Sequence, residues 1–470
     1  MDDVGQKRIT CRWVVHEKVQ HDGLKVSVKA RLVLRGFQEE TVPRKDSPTA
    51  AKEMLKVSLA IAANEGWRAE SLDVTAAYLQ GAEINRDVFV TPPPEEQFEG
   101  TIWKLNKSAY GLYDSSRMWY LEVVKELESY GMVQVTGECA MFYYRLENKT
   151  EGLIVIHSDD FLVLGSKRFF GNVVDKLKQK FKFSRIEKNE FRFTGIDIKV
   201  TPDGFTMRQD GYAETLEPLE HNLKDDNNRP LTKEEYKKFR RATGQLIWLN
   251  EQSRPDLSYD SLDMSYHNRD ACVNNVKEAN KIIKKAKSKE SMISFKKIGD
   301  FSDLKVLAHT DASYLTIENK TRSVAGRMIF LSNRNETRLS PLEWKSKTIP
   351  QVCKSAKAAE TRALDMCADE SVFLARVINE VYTGKKGRAQ LDLTIKCDNQ
   401  GVRDTVNSTH QIEEKMLRPI VENIKNMVTR TEIKDIDWIP SNYCHADLLT
   451  KKGAKNQDKI LEILKTGENL

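Results

Sequence analysis

Two apolar runs, Leu-Ile-Val-Ile at 153–156 and Phe-Leu-Val-Leu at 161–164, are separated only by His157-Ser158-Asp159-Asp160. Runs this short, rich in β-formers and joined by a tight polar break, predict a β-hairpin rather than a helix. Its tip then holds two adjacent carboxylates between strands too apolar to solvate them. Like charges side by side repel, and a divalent cation neutralises such a pair. An Asp-rich turn in water fits the same pattern, so the tip alone does not decide between structure and chemistry. A third acid, Asp73, closes another apolar strand just before Val74-Thr75-Ala76-Ala77-Tyr78. Three carboxylates from two strand ends can hold two Mg²⁺ ions, the clamp used for in-line phosphoryl transfer.

The surrounding pattern is mixed. Residues 12–38 read as two strands around His21-Asp22-Gly23. Residues 52–65 read as an amphipathic helix with Leu55, Leu59, Ala62 and Ala63 on one face, closed by Gly66. Residues 118–130 are helix-like, and the polar stretch 221–235 resembles a linker. The last third alternates predicted strands (304–310, 324–331, 391–397, 433–439) with helices near 363–375 and 416–428, an α/β domain. Asp311 and Asp398 end two of these strands. Glu360 precedes Leu364 by one turn on the inward face, and Asp447 follows Trp438-Ile439-Pro440-Ser441. Taken singly, each acid reads as structural or solvated.

Composition excludes several classes. With 40% hydrophobic and 31% charged residues over 470, the chain is neither collagenous nor wholly disordered. Its apolar stretches, such as 54–63, fall short of the ~18 residues a membrane span needs. Met1-Asp2-Asp3 begins no secretory signal, and seven cysteines without a CxxC pair suggest neither a disulfide framework nor a zinc knot. The net charge of +6 is mild for a nucleic-acid binder. It is concentrated at 277–297, where eight lysines face Glu278 and Glu290. That stretch is either a solvated helix face or a strip that tracks a phosphate backbone.

Several motifs then occur in order. They are Lys29-Ala30-Arg31-Leu32-Val33, Ser47-Pro48-Thr49, Leu72-Asp73-Val74-Thr75-Ala76-Ala77-Tyr78-Leu79-Gln80-Gly81, Ser108-Ala109-Tyr110-Gly111-Leu112 and the Asp159-Asp160 hairpin. Phe193-Thr194-Gly195-Ile196-Asp197 and Ser253-Arg254-Pro255-Asp256 follow. The set resembles the reverse transcriptase of copia-type LTR retrotransposons. Asp311, Glu360, Asp398 and Asp447, with Cys397-Asp398-Asn399-Gln400 and Ala446-Asp447, resemble the ribonuclease H site that accompanies it.

The resemblance implies an α+β right-hand polymerase followed by an α/β ribonuclease H-like domain. Fingers and palm would occupy 1–200, thumb and connection 201–300, and the nuclease 301–470. It implies that Asp73 and Asp159 bind the polymerase metals, that Asp160 completes the cluster, and that Val74 helps hold the nucleotide's metal. Lys29 and Arg31 would grip the triphosphate, Tyr78 would lie under the sugar, and Gly111 would let the backbone approach the template–nucleotide pair. Asp311, Glu360, Asp398 and Asp447 would hold the nuclease metals. Each site would take two Mg²⁺, with Mn²⁺ as a substitute. The implied partners are an RNA template, a DNA or tRNA-type primer, RNA–DNA hybrid and dNTPs, and no membrane. The implied location is the cytoplasm, within a virus-like particle, or the nucleus, with no secretion.

Departures from the family pattern weigh on activity. His157-Ser158 replaces an apolar pair before the two aspartates. Tyr113-Asp114-Ser115 replaces Lys-Gln-Ala and sets an acid near the nucleotide, and Thr361-Arg362 stands where Tyr-Met is usual. The chain begins shortly before Arg12-Trp13, as a piece of a longer polyprotein would. The alternatives to an active enzyme are a non-catalytic nucleic-acid-binding relic and a protein with ribonuclease H activity alone.

Overall fold

The computed structural model describes residues 7–19, 26–39, 44–96, 101–221, 226–290, 292–317, 321–408, 412 and 414–469. The expected turn at His21-Asp22-Gly23 and part of the polar stretch 221–235 lie outside the described residues. Strand pairing builds four sheets. In the first, Arg8–Val19 and Val26–Leu34 run antiparallel, with Val14 opposite Arg31 and His16 opposite Lys29. Alternation along these strands puts Arg12, His16, Lys29 and Arg31 on one face and Trp13, Val15 and Val28 on the other.

The second sheet has six strands, in the order Phe183–Lys188, Arg68–Val74, Asp160–Gly165, Lys149–His157, Glu138–Leu146, Met132–Val135. The runs at 153–156 and 161–164 occupy its centre and are buried on both faces, which explains why they lack polar alternation. Leu153, Val155, Leu162 and Leu164 share a core with the helix Lys52–Glu65. Ile154, Ile156, Phe161 and Val163 instead join Trp119 of the helix Ser115–Ser129.

The helix Lys52–Glu65 departs from the amphipathic expectation, because every residue from Met54 to Asn64 is buried. Its second side packs on the C-terminal domain. Lys56 is fully enclosed there, its Nζ 4.4 Å from the Trp344 ring centre and donating to the Glu251 carbonyl at 3.2 Å. Lys52 pairs with Glu251 at 2.6 Å, and Lys345 pairs with the same carboxylate.

The third sheet joins Glu190–Phe193, Ile196–Thr201, Gly204–Arg208 and Ile293–Lys296. Four α-helices, Asp210–Glu214, Lys233–Gln252, Ser258–Tyr266 and Val273–Ser288, are inserted before its last strand and carry their own core around Phe239, Leu246 and Ile283. The polar stretch at 221–235 therefore lies within an insertion, and the helix Lys233–Gln252 that follows it is opened by a Thr232–Glu235 capping box. The lysine-rich stretch ending the insertion is not a continuous free strip. Lys285 pairs with Asp260 (3.3 Å), Lys287 with Glu214 (3.8 Å) and Lys289 with Asp458 (2.6 Å), while Lys284 has no ion-pair partner among the described residues.

The fourth sheet runs Leu339–Thr348, Arg322–Asn333, Leu304–Ile317, Asp392–Cys397, Asp435–Trp438. Its first three strands are antiparallel neighbours, and the last two lie parallel to Leu304–Ile317. The long helix Ala356–Thr383 packs across it through Ala363, Leu364, Cys367 and Leu374, and this core is continuous with that of Lys52–Glu65. No helix among the described residues is long and apolar enough to cross a membrane.

Candidate active sites

In the six-stranded sheet Arg68–Val74 neighbours Asp160–Gly165, and Asp73 stands directly opposite Asp160. Opposed residues of an antiparallel pair project to one face, so these two carboxylates share it. His157 pairs with Asp160, which leaves Ser158-Asp159 as the two-residue turn, with Ser158 at φ 61°. The turn is fastened from two sides: the Val74 N–H donates to the Asp159 carbonyl (2.9 Å) and the Trp119 indole N–H to the Ser158 carbonyl (2.9 Å). The Ser184 hydroxyl donates to the Asp73 carboxylate at 2.7 Å. Burial, then the charges of Asp159 and Asp73, push the Asp160 carboxyl up to about 6.

The residues expected to hold nucleotide converge on this turn in part. The Arg31 guanidinium lies 5.6 Å from the Tyr110 ring centre, and Tyr110 lies 4.9 Å from Tyr78. Burial and the nearby Asp159 charge raise the Tyr110 hydroxyl above its ordinary value. Arg31, Tyr78, Tyr110 and Asp159 thus adjoin. Tyr110 had not been singled out; its place immediately before Gly111 was the available signal. Lys29 lies on the Arg31 face of the hairpin and is exposed. Val74 contributes its N–H to the turn.

Gly111 answers first to packing. With φ 98°, a side chain there would place Cβ 2.0 Å from the Leu34 carbonyl oxygen, where two backbone segments cross. The acid introduced at Asp114 is buried and already neutralised. Arg86 grips it with two bonds, of 2.6 and 3.0 Å, and also reaches Glu39 at 3.0 Å.

The acids of the C-terminal domain draw closer together. Among the described residues, Asp311, Glu360 and Asp398 are the one group of three whose ligand atoms all lie within 4.8 Å of one another. Asp311 lies in the central strand, Glu360 on the second turn of Ala356–Thr383, and Asp398 just past the strand Asp392–Cys397. Burial raises the carboxyls of Asp311 and Glu360, and for Glu360 the charges of Asp311 and Asp398 add to it. One buried oxygen of Glu360, Oε2, has no hydrogen-bond partner. Asp398 is oriented by the Ser441 hydroxyl (2.6 Å), and its carbonyl accepts from the Trp438 indole (3.0 Å).

Asp447 stands beside this trio, in the short turn His445–Leu449. That turn is fixed to the Asp311 strand by a bond of 3.1 Å from the His445 N–H to His309 Nδ1, and the two imidazoles stack at 4.2 Å. Thr450 donates to Asp311. Lys451 pairs with Asp447, and its Nζ lies 3.5 Å from Asp311. Gly326, opposite Asp311, makes room: a Cβ there would sit 2.6 Å from Thr450 Cγ2. Sequence reasoning missed Thr450, Lys451 and Gly326, although Thr450-Lys451 follows closely on Ala446-Asp447.

Residues 2–230 match the family described as reverse transcriptase (RNA-dependent DNA polymerase). This part of the chain belongs to that family. The chain is 26% identical to the retrovirus-related Pol polyprotein from transposon RE1 of Arabidopsis thaliana over 84% of its own length, and 23% identical to that from transposon TNT 1-94 of Nicotiana tabacum over 98%. These matches agree with the copia-type motif resemblance. The chain spans 27% and 36% of those relatives. Among solved structures, a ribonuclease H1 crystallised with RNA/DNA hybrid is similar over 31% of this chain and 94% of that one, at 13% identity and TM-score 0.24.

Proposed function

We propose that the chain is an RNA-directed DNA polymerase with ribonuclease H activity, copying a retrotransposon's RNA into cDNA. The observation that carries this reading is the presence of two separate acid clusters, one at the fastened turn Ser158-Asp159 facing Asp73, the other at Asp311, Glu360 and Asp398. Both donor sets are carboxylates, hard oxygen ligands suited to Mg²⁺ or Mn²⁺, and the unpartnered Glu360 Oε2 fits a ligand role. Asp73, Asp159 and Asp160 would hold two ions in the polymerase site; Asp311, Glu360, Asp398 and Asp447 would hold two in the nuclease. Such ions polarise the phosphoryl oxygens and lower the pKa of an attacking water or hydroxyl.

The chain's own residues do the positioning. Lys29 and Arg31 present charge to a triphosphate, the Tyr78–Tyr110 pair walls the sugar, and Gly111 keeps the two backbone segments in contact beside it. Residues 1–200 serve as fingers and palm, 201–300 as thumb and connection, and 301–470 as nuclease. The partners are RNA template, a DNA or tRNA-type primer, hybrid and dNTPs, in a virus-like particle of the cytoplasm or in the nucleus. Primer extension on an RNA template with Mg²⁺, run beside cleavage of labelled hybrid, tests the reading. Cleavage without extension would leave a nuclease alone, and neither activity in Mg²⁺ or Mn²⁺ would leave a nucleic-acid-binding relic.

A further inference from the structure

Asp447 is the one nuclease acid not gathered with the trio, and the structure shows what occupies it. The Lys451 ammonium pairs with Asp447 and lies 3.5 Å from the Asp311 carboxylate, so one cation bridges two of the four acids. Lys451 follows Asp447 by four residues, a spacing that returns the side chain over the same turn, and Thr450 ties the adjacent backbone to Asp311. Both carboxylates are well covered, with side-chain exposures of 15% for Asp447 and 1% for Asp311. The attraction is therefore weakly screened, and so is the repulsion that a second positive ion would feel. The Lys451 side chain itself is 43% exposed, which leaves its end a route outward.

We propose that Lys451 is a resident cation that keeps Asp447 out of the metal set until a nucleic-acid phosphate draws the ammonium away. The inference rests on the nuclease reading given above. Without substrate, Asp311, Glu360 and Asp398 take one divalent ion and Lys451 supplies the second positive charge. When hybrid binds, a non-bridging phosphate oxygen offers the ammonium an alternative anionic partner, and Asp447 becomes free to ligate. No bond is made or broken in the exchange. Its result is that the second ion enters only with substrate, so the empty site does not hold a fully charged pair of metals.

The test counts Mn²⁺ ions by electron paramagnetic resonance on the full chain. An Asp73→Asn/Asp159→Asn background removes the polymerase ligands from the count. In that background Lys451 should limit the protein to one bound Mn²⁺, rising to two when an RNA–DNA hybrid whose RNA strand carries cleavage-resistant 2′-O-methyl riboses is added. Lys451→Met should bind two without hybrid, the second at least tenfold tighter than in the lysine form. Lys451→Arg, which keeps the charge, should return the count to one and also controls for folding. Equal stoichiometry and affinity in the Lys, Met and Arg forms would overturn the role of Lys451 while leaving the nuclease reading intact. Absence of any Mn²⁺ binding that Asp398→Asn can reduce would overturn both.

Discussion

At the hairpin tip the acids are spread along the end of a sheet. Asp73, Asp159 and Asp160 are each partly exposed, and a turn of backbone hydrogen bonds holds their spacing. In the C-terminal domain the acids come from a strand, a helix and a strand end, and they converge behind buried side chains. The first arrangement is more open, and there burial and mutual repulsion raise the Asp160 carboxyl to about 6. The second relies on Lys451 and on raising the carboxyls of Asp311 and Glu360. The comparison teaches that the C-terminal cluster has a lysine paired directly with two of its acids, whereas the hairpin-tip acids have Arg185, opposite Asp73 in the same sheet, whose charge acts on Asp160 at a distance.

The sharpest way to break this comparison is to remove one ligand from each cluster. Asp159→Asn should reduce primer extension on the order of 100-fold or more and leave hybrid cleavage near wild type; Asp398→Asn should do the reverse. Loss of both activities in either variant, with the fold intact, would merge the two sites into one functional unit. Next in size is Gly111→Ala. Its φ of 98° and the 2.0 Å approach to Leu34 should cost on the order of 3 kcal/mol in urea unfolding, and an unchanged midpoint would show that the strand yields.

The pH dependence of stability sharpens the electrostatic half of the comparison. Glu360 has a carboxyl raised above its ordinary 4.5 in the folded chain, so folding favours its protonated form. Metal-free protein should therefore lose stability as pH climbs from about 4.5 through the raised value. Glu360→Gln should remove that loss and be more stable at pH 8 by on the order of 2 kcal/mol. Thermal melts at pH 5 and pH 8 in chelator check it, and parallel curves for both proteins would count against the burial argument. Asp160→Asn should act with the same sign over a narrower window, from its ordinary 3.8 to about 6. Solvent at the hairpin tip reduces the expected gain to about 1 kcal/mol. The smallest effect is expected from Lys285→Met. Because Lys285 is engaged with Asp260, the salt dependence of hybrid binding should keep its slope. A slope shallower by about one unit would return that lysine to the nucleic-acid surface.

Local pattern accounts for much of what could be read in advance. The hairpin, the bounds of the helix at 52–65 and the strand end before Asp398 follow from periodicity and breakers within a few residues, whereas the strand expected to stop before Asp311 runs on to Ile317, because its pairing with Arg322–Asn333 continues past the acid. What escaped depends on partners far along the chain. The helix at 52–65 reads as one-sided because nothing nearby announces Trp344 and Glu251. The lysines at 285–289 read as a strip because Asp260, Glu214 and Asp458 are remote or on another helix. Asp114 reads as an intrusion until Arg86 is found beside it. Tyr110 lay inside a recognised motif and Lys451 close after one, but their settings come from Tyr78 on the short helix Ala77–Gln80 and from Asp311 on a distant strand.

The double burial of Lys52–Glu65 bears on how such chains can be recombined. One helix serves as the floor of the six-stranded sheet and the wall of the C-terminal domain, with Lys56 lodged against Trp344. A chimera that took residues 1–300 from this chain and the remainder from a distant relative would inherit half of a fitted joint. Its lysine would be left without its aromatic seat and its Glu251 without Lys345. The two halves are therefore expected to be exchanged between elements as a matched pair, and compensating changes at 56 and 344 are where a successful graft would show its scars.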